Sequence, residues 1–204
     1  MLAAEPTPNE ELLNRCLLAA EAAKIEPIIV INKSDLAGTE ALQTLLEPYK
    51  NLGYQLVTLS ARVSGAAPLL FYLAGHTSIL LGQSGMGKST LINALLPHAR
   101  ARTAEISSAL DSGRHTTTHA TLFHLNATSN IIDSPGLQEF GLNHLAKTEL
   151  AGLFPEMRHY LGQCRFHNCT HTEEPGCAIK NAAEHKYIYP NRLALLQKLT
   201  RTKR

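Results

Sequence analysis

The sequence predicts an α/β fold with a doubly wound, largely parallel sheet, followed by a small α-helical subdomain at the C-terminus. Two observations predict the sheet: short apolar runs rich in β-branched residues alternate with segments of helical periodicity, and each of the parallel runs ends in a polar motif. A third predicts the subdomain, because three of the four cysteines fall within residues 164–177 beside histidines. With 44% apolar and 18% charged residues, the chain of 204 residues has a globular composition.

The elements follow in chain order. A surface helix is predicted over residues 9–24, where apolar residues recur at helical spacing. Strands are predicted at residues 28–31, 56–59, 78–81, 121–125 and 130–132, and further helices at 39–49, 66–73 and 88–96. The short link at 126–129 predicts an antiparallel hairpin between the last two strands. Ligands of such sheets bind beyond the carboxyl ends of the parallel strands, which is where the motifs of this chain lie.

A candidate phosphate-binding loop follows the third strand. Residues 82–89 read GQSGMGKS and match GxxxxGK[ST] between a strand and a helix. Lys88 is expected to reach the β- and γ-phosphates and Ser89 to bind Mg²⁺, while backbone N–H groups cradle the phosphates. The predicted nucleotide-binding residues here are Gly82, Gln83, Ser84, Gly85, Met86, Gly87, Lys88, Ser89 and Thr90. The alternative is a plain glycine turn, which the flanking strand and helix disfavour.

Two further motifs indicate guanine as the base. The run Asn32, Lys33, Ser34 and Asp35 follows the first strand, and the Asp35 carboxylate would accept two N–H bonds from the N1 and N2 edge of guanine. Adenine lacks this pair of donors and would leave the carboxylate unsatisfied. Ser60 and Ala61 follow the second strand, where their backbone would face O6 of the base. The alternatives are a helix N-cap turn for NKSD and a simple strand end for Ser60 and Ala61.

The order of these motifs is the reverse of the usual one. NKSD precedes the phosphate loop by roughly 50 residues, whereas a GTP-binding domain ordinarily has the phosphate loop first. If both motifs are genuine, the nucleotide site contains the usual elements of a GTP-binding domain, but these elements follow one another along the chain in a different order. The sequence therefore predicts a circularly permuted P-loop GTPase fold.

A fourth motif and a polar loop complete the predicted site. Asp133-Ser134-Pro135-Gly136 fits a DxxG element, in which Asp133 would hold the Mg²⁺ shell and the Gly136 N–H would meet the γ-phosphate. Alone, this tetrapeptide is also an ordinary turn. Residues 112–119, SGRHTTTH, occupy the place of a switch segment, and Thr117 is the candidate Mg²⁺ ligand within it. The alternative for this segment is a solvated polar loop.

The residue after DxxG is Leu137, where Ras-like enzymes have a glutamine that orients water. An aliphatic side chain cannot hydrogen-bond the attacking water, so this role must fall to another residue. His115 is the candidate, since an imidazole can orient water or accept its proton, although it could equally be an ordinary loop residue. The predicted catalytic residues are thus His115, Lys88 and Thr117. Slow intrinsic turnover that a partner accelerates follows as a hypothesis.

The cysteine cluster reads Cys164-x4-Cys169-x-His171-x5-Cys177. Three thiolates and one imidazole form a closed, structural Zn²⁺ set with no open position for catalysis. His167 is a competing ligand, and reduced core cysteines are the alternative to a metal. The module would either staple a small subdomain or present basic residues to RNA; these residues are Arg165, Lys180 and Lys186.

Net charge and hydropathy say little about which molecules the protein binds. A net charge of +2 and a pI near 8.4 are compatible with RNA but do not require it. The apolar runs are far too short for a bilayer span, and the N-terminus lacks the pattern of a signal peptide. We therefore expect a cytoplasmic monomer with no membrane partner.

Taken together, the motifs resemble the RsgA (YjeQ) family of GTPases that depend on the small ribosomal subunit. The resemblance covers NKSD, SA, GQSGMGKST, GRHTTTH, DSPG and the zinc cluster in this order, with LLNRCLLAAEA before NKSD and PGCAIKNA within the zinc segment. It implies a late-acting assembly factor that binds the immature small subunit and its rRNA, hydrolyses GTP to GDP and phosphate when the ribosome stimulates it, and then leaves. It also implies phosphate and Mg²⁺ roles for Lys88 and Ser89, the guanine contact for Asp35, and a place near the attacking water for His115.

One departure from the resembled family concerns the N-terminus. Family members begin with an OB-fold RNA-binding domain and a strand that leads into the first helix, whereas residues 1–4 are all that could remain of that strand. The predicted domains are residues 1–155, a GTPase domain whose first strand is largely missing, and residues 156–204, the zinc subdomain. Such a loss should expose an apolar flank. The alternative functions are a truncated, non-hydrolysing remnant that binds RNA or ribosomes through its zinc module, and an unrelated P-loop ATPase or kinase.

Overall fold

The structure, a computed structural model, describes residues 1–96, 120–134, 141–142 and 144–201. The chain falls into two compact units. The first comprises Met1–Asn9 and the described residues of Ile28–Gln138, and the second comprises Glu10–Pro27 and the described residues of Glu139–Arg204. This grouping differs from a linear division at residue 155, because the first helix joins the C-terminal unit. Within the described residues, no helix combines the length and apolar character that crossing a membrane requires.

Helices and strands alternate along the chain, with every predicted boundary within two residues of the observed one. The elements up to the phosphate loop are α1 (Glu10–Ala23), β1 (Ile28–Ile31), α2 (Thr39–Asn51), β2 (Gln55–Thr58), α3 (Ala67–Leu73) and β3 (Thr77–Leu80). Those that follow are α4 (Lys88–Leu95), β4 (Thr121–His124), β5 (Asn130–Asp133), two 3-10 helices (Leu150–Leu153 and Pro155–Tyr160), α5 (Ala178–Glu184) and α6 (Pro190–Arg201).

The strands of the first unit form two ladders. β1 pairs with β2 in parallel, with Ile28 opposite Gln55, and β3 pairs with β5 in parallel, with Thr77 opposite Asn130. β4 runs antiparallel to β5, and the hairpin closes where the Leu125 N–H donates to the Ser129 carbonyl at 2.9 Å. The hairpin predicted from the short link is therefore confirmed, as is the parallel character of the remaining strands.

The N-terminal residues lie between the two ladders. The Leu2 N–H donates to the Val30 carbonyl and the Asn32 N–H donates to the Leu2 carbonyl, both at 2.8 Å. On the other side, the ammonium of Met1 donates to the Leu81 carbonyl at 2.7 Å. Residues 1–3 thus join the carboxyl ends of β1 and β3, which carry NKSD and the phosphate loop. Among the described strands, β3 pairs only with β5, and its Ile79 is half exposed.

The core of the first unit follows from the pattern of the strands. Inward-facing strand residues pack against one face each of α3 and α4, and the principal members of this core are Val30, Val57, Leu59, Leu69, Leu80, Leu91 and Ile131. The hydrophobic packing fixes the strand ends, and with them the loops that carry the polar motifs.

The second unit has a separate core and a buried ion pair. Its apolar core includes Leu18 from α1 together with Phe154, Met157, Ile179, Ile188 and Leu196. Arg192 of α6 is 1% exposed, and its guanidinium makes a bidentate pair with Glu156. The same guanidinium donates to Asn14 of α1 at 2.7 Å and lies 4.9 Å from the ring centroid of Phe154. A buried charge with these partners fixes α1 to α6, which explains why α1 belongs to this unit.

Candidate nucleotide and metal sites

The phosphate loop is packed so closely that two of its glycines have no substitute. Gly87 has φ +91°, and a Cβ there would lie 2.5 Å from Nδ2 of Asn32. A Cβ on Gly82 would lie 2.6 Å from the carbonyl oxygen of Met1. Both distances are too short for real atoms, so any side chain would displace either NKSD or the N-terminal residues. The glycines therefore let three segments of the chain meet at the loop.

Lys88 is folded back onto this loop. Its ammonium donates to the carbonyl of Gly82 at 2.7 Å and to that of Gln83 at 3.0 Å. Burial lowers the pKa of Lys88, and the nearby Asp133 carboxylate opposes that shift. Within the described part of the chain, the acceptors of this ammonium are neutral carbonyls, which the oxygens of a bound phosphate can replace with stronger, charge-assisted bonds.

Asp133 ends β5 with one carboxylate oxygen unpaired. Its Oδ1 is buried without a hydrogen-bond partner among the described residues. Burial raises the pKa of Asp133, while the charge of Lys88 opposes the rise. An orphaned buried carboxylate oxygen is costly and fits a place that a cation or its water completes. Ser89, at the first turn of α4, offers an exposed hydroxyl, so the donor set fits Mg²⁺.

Asn32 connects three motifs that are distant in sequence. Its Nδ2 donates to the Met86 carbonyl in the phosphate loop at 3.0 Å, and its Oδ1 accepts from the Ala61 N–H at 3.0 Å. The side chain is only 2% exposed. The sequence indicated a contact with the base for Asn32, but not this cross-link, because nothing local reveals it. The Ala61 N–H, which was expected near O6 of guanine, donates to Asn32 here.

Asp35 stands at the solvent-exposed end of NKSD. Its carboxylate accepts a hydrogen bond from the Ser60 hydroxyl, and this bond is the main reason that the pKa of Asp35 is lowered, with a backbone N–H second. The group is therefore an ionised carboxylate at neutral pH, and it offers only acceptors. This is the chemistry that the N1 and N2 donors of guanine require. The Ser34 N–H donates to the Leu59 carbonyl at 3.2 Å, which fixes the motif to the end of β2.

The segment before α1 contacts both halves of the candidate nucleotide site. Lys33 has a left-handed backbone, with φ +59°, and its ammonium donates to the Glu5 carbonyl at 2.8 Å. The side-chain oxygen of Gln83 accepts from the Asn9 N–H at 2.8 Å. Residues 5–9 therefore hold the guanine motif and the phosphate loop from one side. The remaining predicted residues, His115, Thr117 and Gly136, lie outside the described residues.

Four side chains of the second unit converge as a metal-ligand set. The ligand atoms of Cys164, Cys169, His171 and Cys177 all lie within 4.8 Å of one another. His171 Nδ1 is 3.4 Å from the Cys177 sulfur and 3.7 Å from the Cys164 sulfur. Burial lowers the pKa of His171, so the imidazole is neutral and able to coordinate. Three sulfur atoms and one nitrogen in a closed group suit Zn²⁺, and His167 is outside this group.

The helix after the cluster supports two of the sulfur atoms. At the N-terminus of α5, the Ala178 N–H points to the Cys164 sulfur at 3.4 Å and the Lys180 N–H to the Cys177 sulfur at 3.5 Å. Burial raises the pKa of Cys177, and that of Cys169 rises to about 12. Thiols held together in this way gain most from a cation that stabilises their thiolate form.

Exposed aromatic residues of the second unit adjoin cations. The Arg165 guanidinium lies 5.5 Å from the centroid of the Phe166 ring, and Phe166 is 40% exposed. Tyr187 is 69% exposed and directly follows the exposed Lys186. Rings next to cations can stack on bases while the cations meet phosphates.

Comparisons with known proteins agree with this geometry. The model of the RsgA GTPase family matches residues 1–143. The small ribosomal subunit biogenesis GTPase RsgA of Neisseria meningitidis serogroup C (strain 053442) is 57% identical over 97% of this chain and 64% of that protein. The protein of the same name from Nitrosomonas europaea is 52% identical over 98% of this chain and 65% of that protein. The chain thus spans just under two thirds of the length of these curated relatives.

Two solved structures share the fold. YjeQ from Thermotoga maritima superposes with a TM-score of 0.76 and 29% identity over 99% of this chain and 70% of that one. YloQ, described as a circularly permuted GTPase, gives a TM-score of 0.74 and 29% identity over 100% and 68% of the two chains. The permuted α/β fold predicted from the motif order is therefore confirmed.

Proposed function

The chain belongs to the RsgA GTPase family, and from this premise we propose that it binds GTP and hydrolyses it to GDP and phosphate in late maturation of the small ribosomal subunit. The observation that carries the proposal is the cross-link at Asn32, which bonds to Met86 of the phosphate loop and to Ala61 after β2. A site for phosphates and a site for guanine are thereby held at a fixed separation. The process is supported by the curated relatives, which are named small ribosomal subunit biogenesis GTPases.

In this proposal, the chain's own residues divide the work of binding. Lys88 exchanges the carbonyls of Gly82 and Gln83 for β- and γ-phosphate oxygens, and the loop N–H groups complete the cradle. Ser89 and Asp133 hold Mg²⁺, which neutralises charge on the phosphates when bound. Asp35 reads guanine through its two acceptor oxygens. The unpaired Oδ1 of Asp133 supports the metal assignment.

Placement of the attacking water is assigned to the switch segment by resemblance. His115 would orient the water, Thr117 would complete the Mg²⁺ shell, and the Gly136 N–H would meet the γ-phosphate. Because Leu137 cannot hydrogen-bond water, turnover of the isolated chain should be slow and should depend on the ribosomal partner.

The second unit supplies the structural metal and a contact surface in this scheme. One Zn²⁺ would be held by Cys164, Cys169, His171 and Cys177, as the convergence of their ligand atoms supports. We expect the protein to act as a cytoplasmic monomer with GTP or GDP and the small subunit as its partners.

The direct test measures GTP hydrolysis with and without small ribosomal subunits. We expect small subunits to raise kcat by about 10-fold or more. We expect Lys88→Ala to lower kcat/KM by about 100-fold or more, because the ammonium that would neutralise charge on the β- and γ-phosphates is lost. The control is Lys50→Ala, since Lys50 is exposed on α2 and pairs with Glu47 at the surface. Turnover that small subunits leave unchanged would contradict the ribosomal role. Subunit binding without any hydrolysis would favour the non-hydrolysing alternative.

We also propose that the second unit contacts rRNA through Tyr187 and Lys186. Stacking of a base on an exposed ring contributes about 1–3 kcal/mol, so Tyr187→Ala should weaken binding of a single-stranded rRNA fragment by about 5- to 150-fold. Lys186→Ala should reduce the salt dependence of binding by about one phosphate contact. Phe71→Ala is the control, because Phe71 is also an exposed aromatic residue, at 85%, but lies in the first unit. A similar loss of affinity in the control would disprove this assignment.

A further inference from the structure

The loop between Cys169 and Cys177 contains a carboxylate that is bonded on both sides of His171. Glu174 Oε1 accepts from the Thr170 N–H at 2.8 Å and from the Thr170 hydroxyl at 2.5 Å. Its Oε2 accepts from the Thr172 N–H at 3.0 Å. These bonds, chiefly that from the Thr170 hydroxyl, lower the pKa of Glu174 to about 2. One ionised side chain therefore accepts hydrogen bonds from the residues immediately before and after the histidine.

His171 needs such support because of its backbone. Its φ of +63° lies in the left-handed region, which residues with side chains seldom adopt. A conformation of this kind persists only where the surroundings impose it. Thr170 and Thr172 bond to Glu174 on either side of His171, and the His171 carbonyl itself accepts from Nε2 of Gln197 in α6 at 3.1 Å. The loop is thus held from the side of the carboxylate and from the side of the helix.

The backbone conformation decides where the imidazole lies. With φ at +63°, His171 Nδ1 lies 3.4 Å from the Cys177 sulfur and 3.7 Å from the Cys164 sulfur. If the loop relaxed to an extended or right-handed conformation, the ring would move away from these atoms. Glu174 itself is not one of the converging ligands. Its contribution is therefore to keep the fourth ligand in place.

We propose that Glu174 is a positioning residue for the metal site and raises its affinity for Zn²⁺ by holding His171 in its coordinating conformation. The inference rests on the proposed zinc site. Residues that orient a metal ligand without touching the metal typically change affinity by about 10- to 100-fold. Because zinc binding is linked to folding of such modules, the same effect should appear in the stability of the second unit.

The neighbouring glutamate provides a matched control. Glu173 carries the same charge as Glu174 and lies in the same loop, but its side chain is 82% exposed and pairs with Arg201. Glu173→Ala removes one negative charge near the site without removing any bond to Thr170 or Thr172. A comparison of the two variants therefore separates the geometric effect from a general electrostatic effect.

The experiment measures the Zn²⁺ affinity of the full chain by competition with a chromophoric chelator. We expect Glu174→Ala to weaken binding by about 10- to 100-fold, Glu174→Gln to lie between the wild type and Glu174→Ala, and Glu173→Ala to stay within about twofold. The amide of glutamine keeps one acceptor oxygen for Thr170 or Thr172 but places an NH₂ donor against the N–H of the other threonine. The Zn²⁺ affinity of Glu174→Gln should therefore be intermediate. Equal losses for Glu173→Ala and Glu174→Ala would overturn the proposal.

A spectroscopic measurement distinguishes a positioning role from general destabilisation. With Co²⁺ in place of zinc, the ligand-field bands of Glu174→Ala should shift towards those of His171→Ala, while those of Glu173→Ala match the wild type. Unchanged bands in Glu174→Ala would show that His171 still binds the metal and would contradict the proposal. A wild-type chain that binds no Zn²⁺ at all would instead disprove the zinc site itself. The spectra are recorded at a saturating concentration of Co²⁺. If Glu174→Ala does not fold, the same comparison is made with Glu174→Gln.

Discussion

Replacement of Asp35 with asparagine is expected to lower the affinity for GTP by at least about 100-fold and to create a preference for xanthosine triphosphate. The ionised carboxylate of Asp35 accepts the N1 and N2 hydrogen atoms of guanine in our proposal, and hydrogen bonds to a charged group are stronger than those between neutral groups. Loss of both bonds therefore predicts a loss of affinity of about 100-fold or more. An amide would also direct its own donor at the guanine amino group.

Xanthine should bind the Asp35→Asn variant better than guanine does, because xanthine has a carbonyl oxygen at C2 where guanine has an amino group. The asparagine oxygen would accept from N1–H and its amide would donate to O2, so both bonds are restored. Binding of fluorescent guanosine and xanthosine nucleotides to the wild type and to Asp35→Asn checks the prediction. Glu40→Gln is the control, since Glu40 is an exposed acid in the first turn of α2. If Asp35→Asn retained the preference for GTP, the assignment of NKSD to the base would be wrong.

The hydrogen bond between Asp35 and Ser60 shows how the fold positions this carboxylate. The Ser60 hydroxyl donates to this carboxylate and is the main cause of its lowered pKa. Both residues follow strands that pair with each other in parallel, β1 and β2, so the register of the ladder brings them together. The proposed guanine site therefore depends on the pairing and packing of these strands as well as on its polar residues.

Much of this arrangement could be predicted from local sequence. β-branched runs and glycine-rich turns define the strands and the phosphate loop, and the elements predicted between residues 9 and 132 have boundaries within two residues of the observed ones. The short helices of the C-terminal subdomain were not predicted individually. The converging ligands were also predicted, since the spacing from Cys164 to Cys177 is a local property of the chain. Patterns of this kind extend over a few residues, which is why sequence reasoning recovers them.

Long-range polar contacts could not be predicted in the same way. The bonds from Asn32 join residues 29 and 54 positions away, and Arg192 bonds to Asn14 across 178 positions. An asparagine at a strand end and an arginine in an amphipathic helix carry no signal that they will be buried, because most such residues face solvent. Only the assembled fold reveals that they cross-link distant elements.

Loss of zinc is expected to unfold the second unit and to leave nucleotide binding largely intact. Binding of structural Zn²⁺ contributes about 10–16 kcal/mol in small zinc modules, which exceeds the total stability of most small domains. A chelator, or the variant Cys177→Ser, should therefore abolish the cooperative unfolding of this unit. GDP affinity should change by no more than a few-fold, since the candidate nucleotide-binding residues that the structure describes all lie in the first unit.

The size of this effect follows from the position of Cys177. It is buried in the core of the second unit, and its sulfur accepts the Lys180 N–H at the start of α5, so the same atom is a proposed metal ligand and a helix cap. Without the metal, three thiols and an imidazole within 4.8 Å of one another lose their common partner. Limited proteolysis and circular dichroism, with Cys16→Ser as the cysteine control outside the cluster, measure the outcome. An unfolding transition that survives both chelation and Cys177→Ser would mean that the buried pair of Arg192 and Glu156, with its apolar surroundings, suffices to hold the unit.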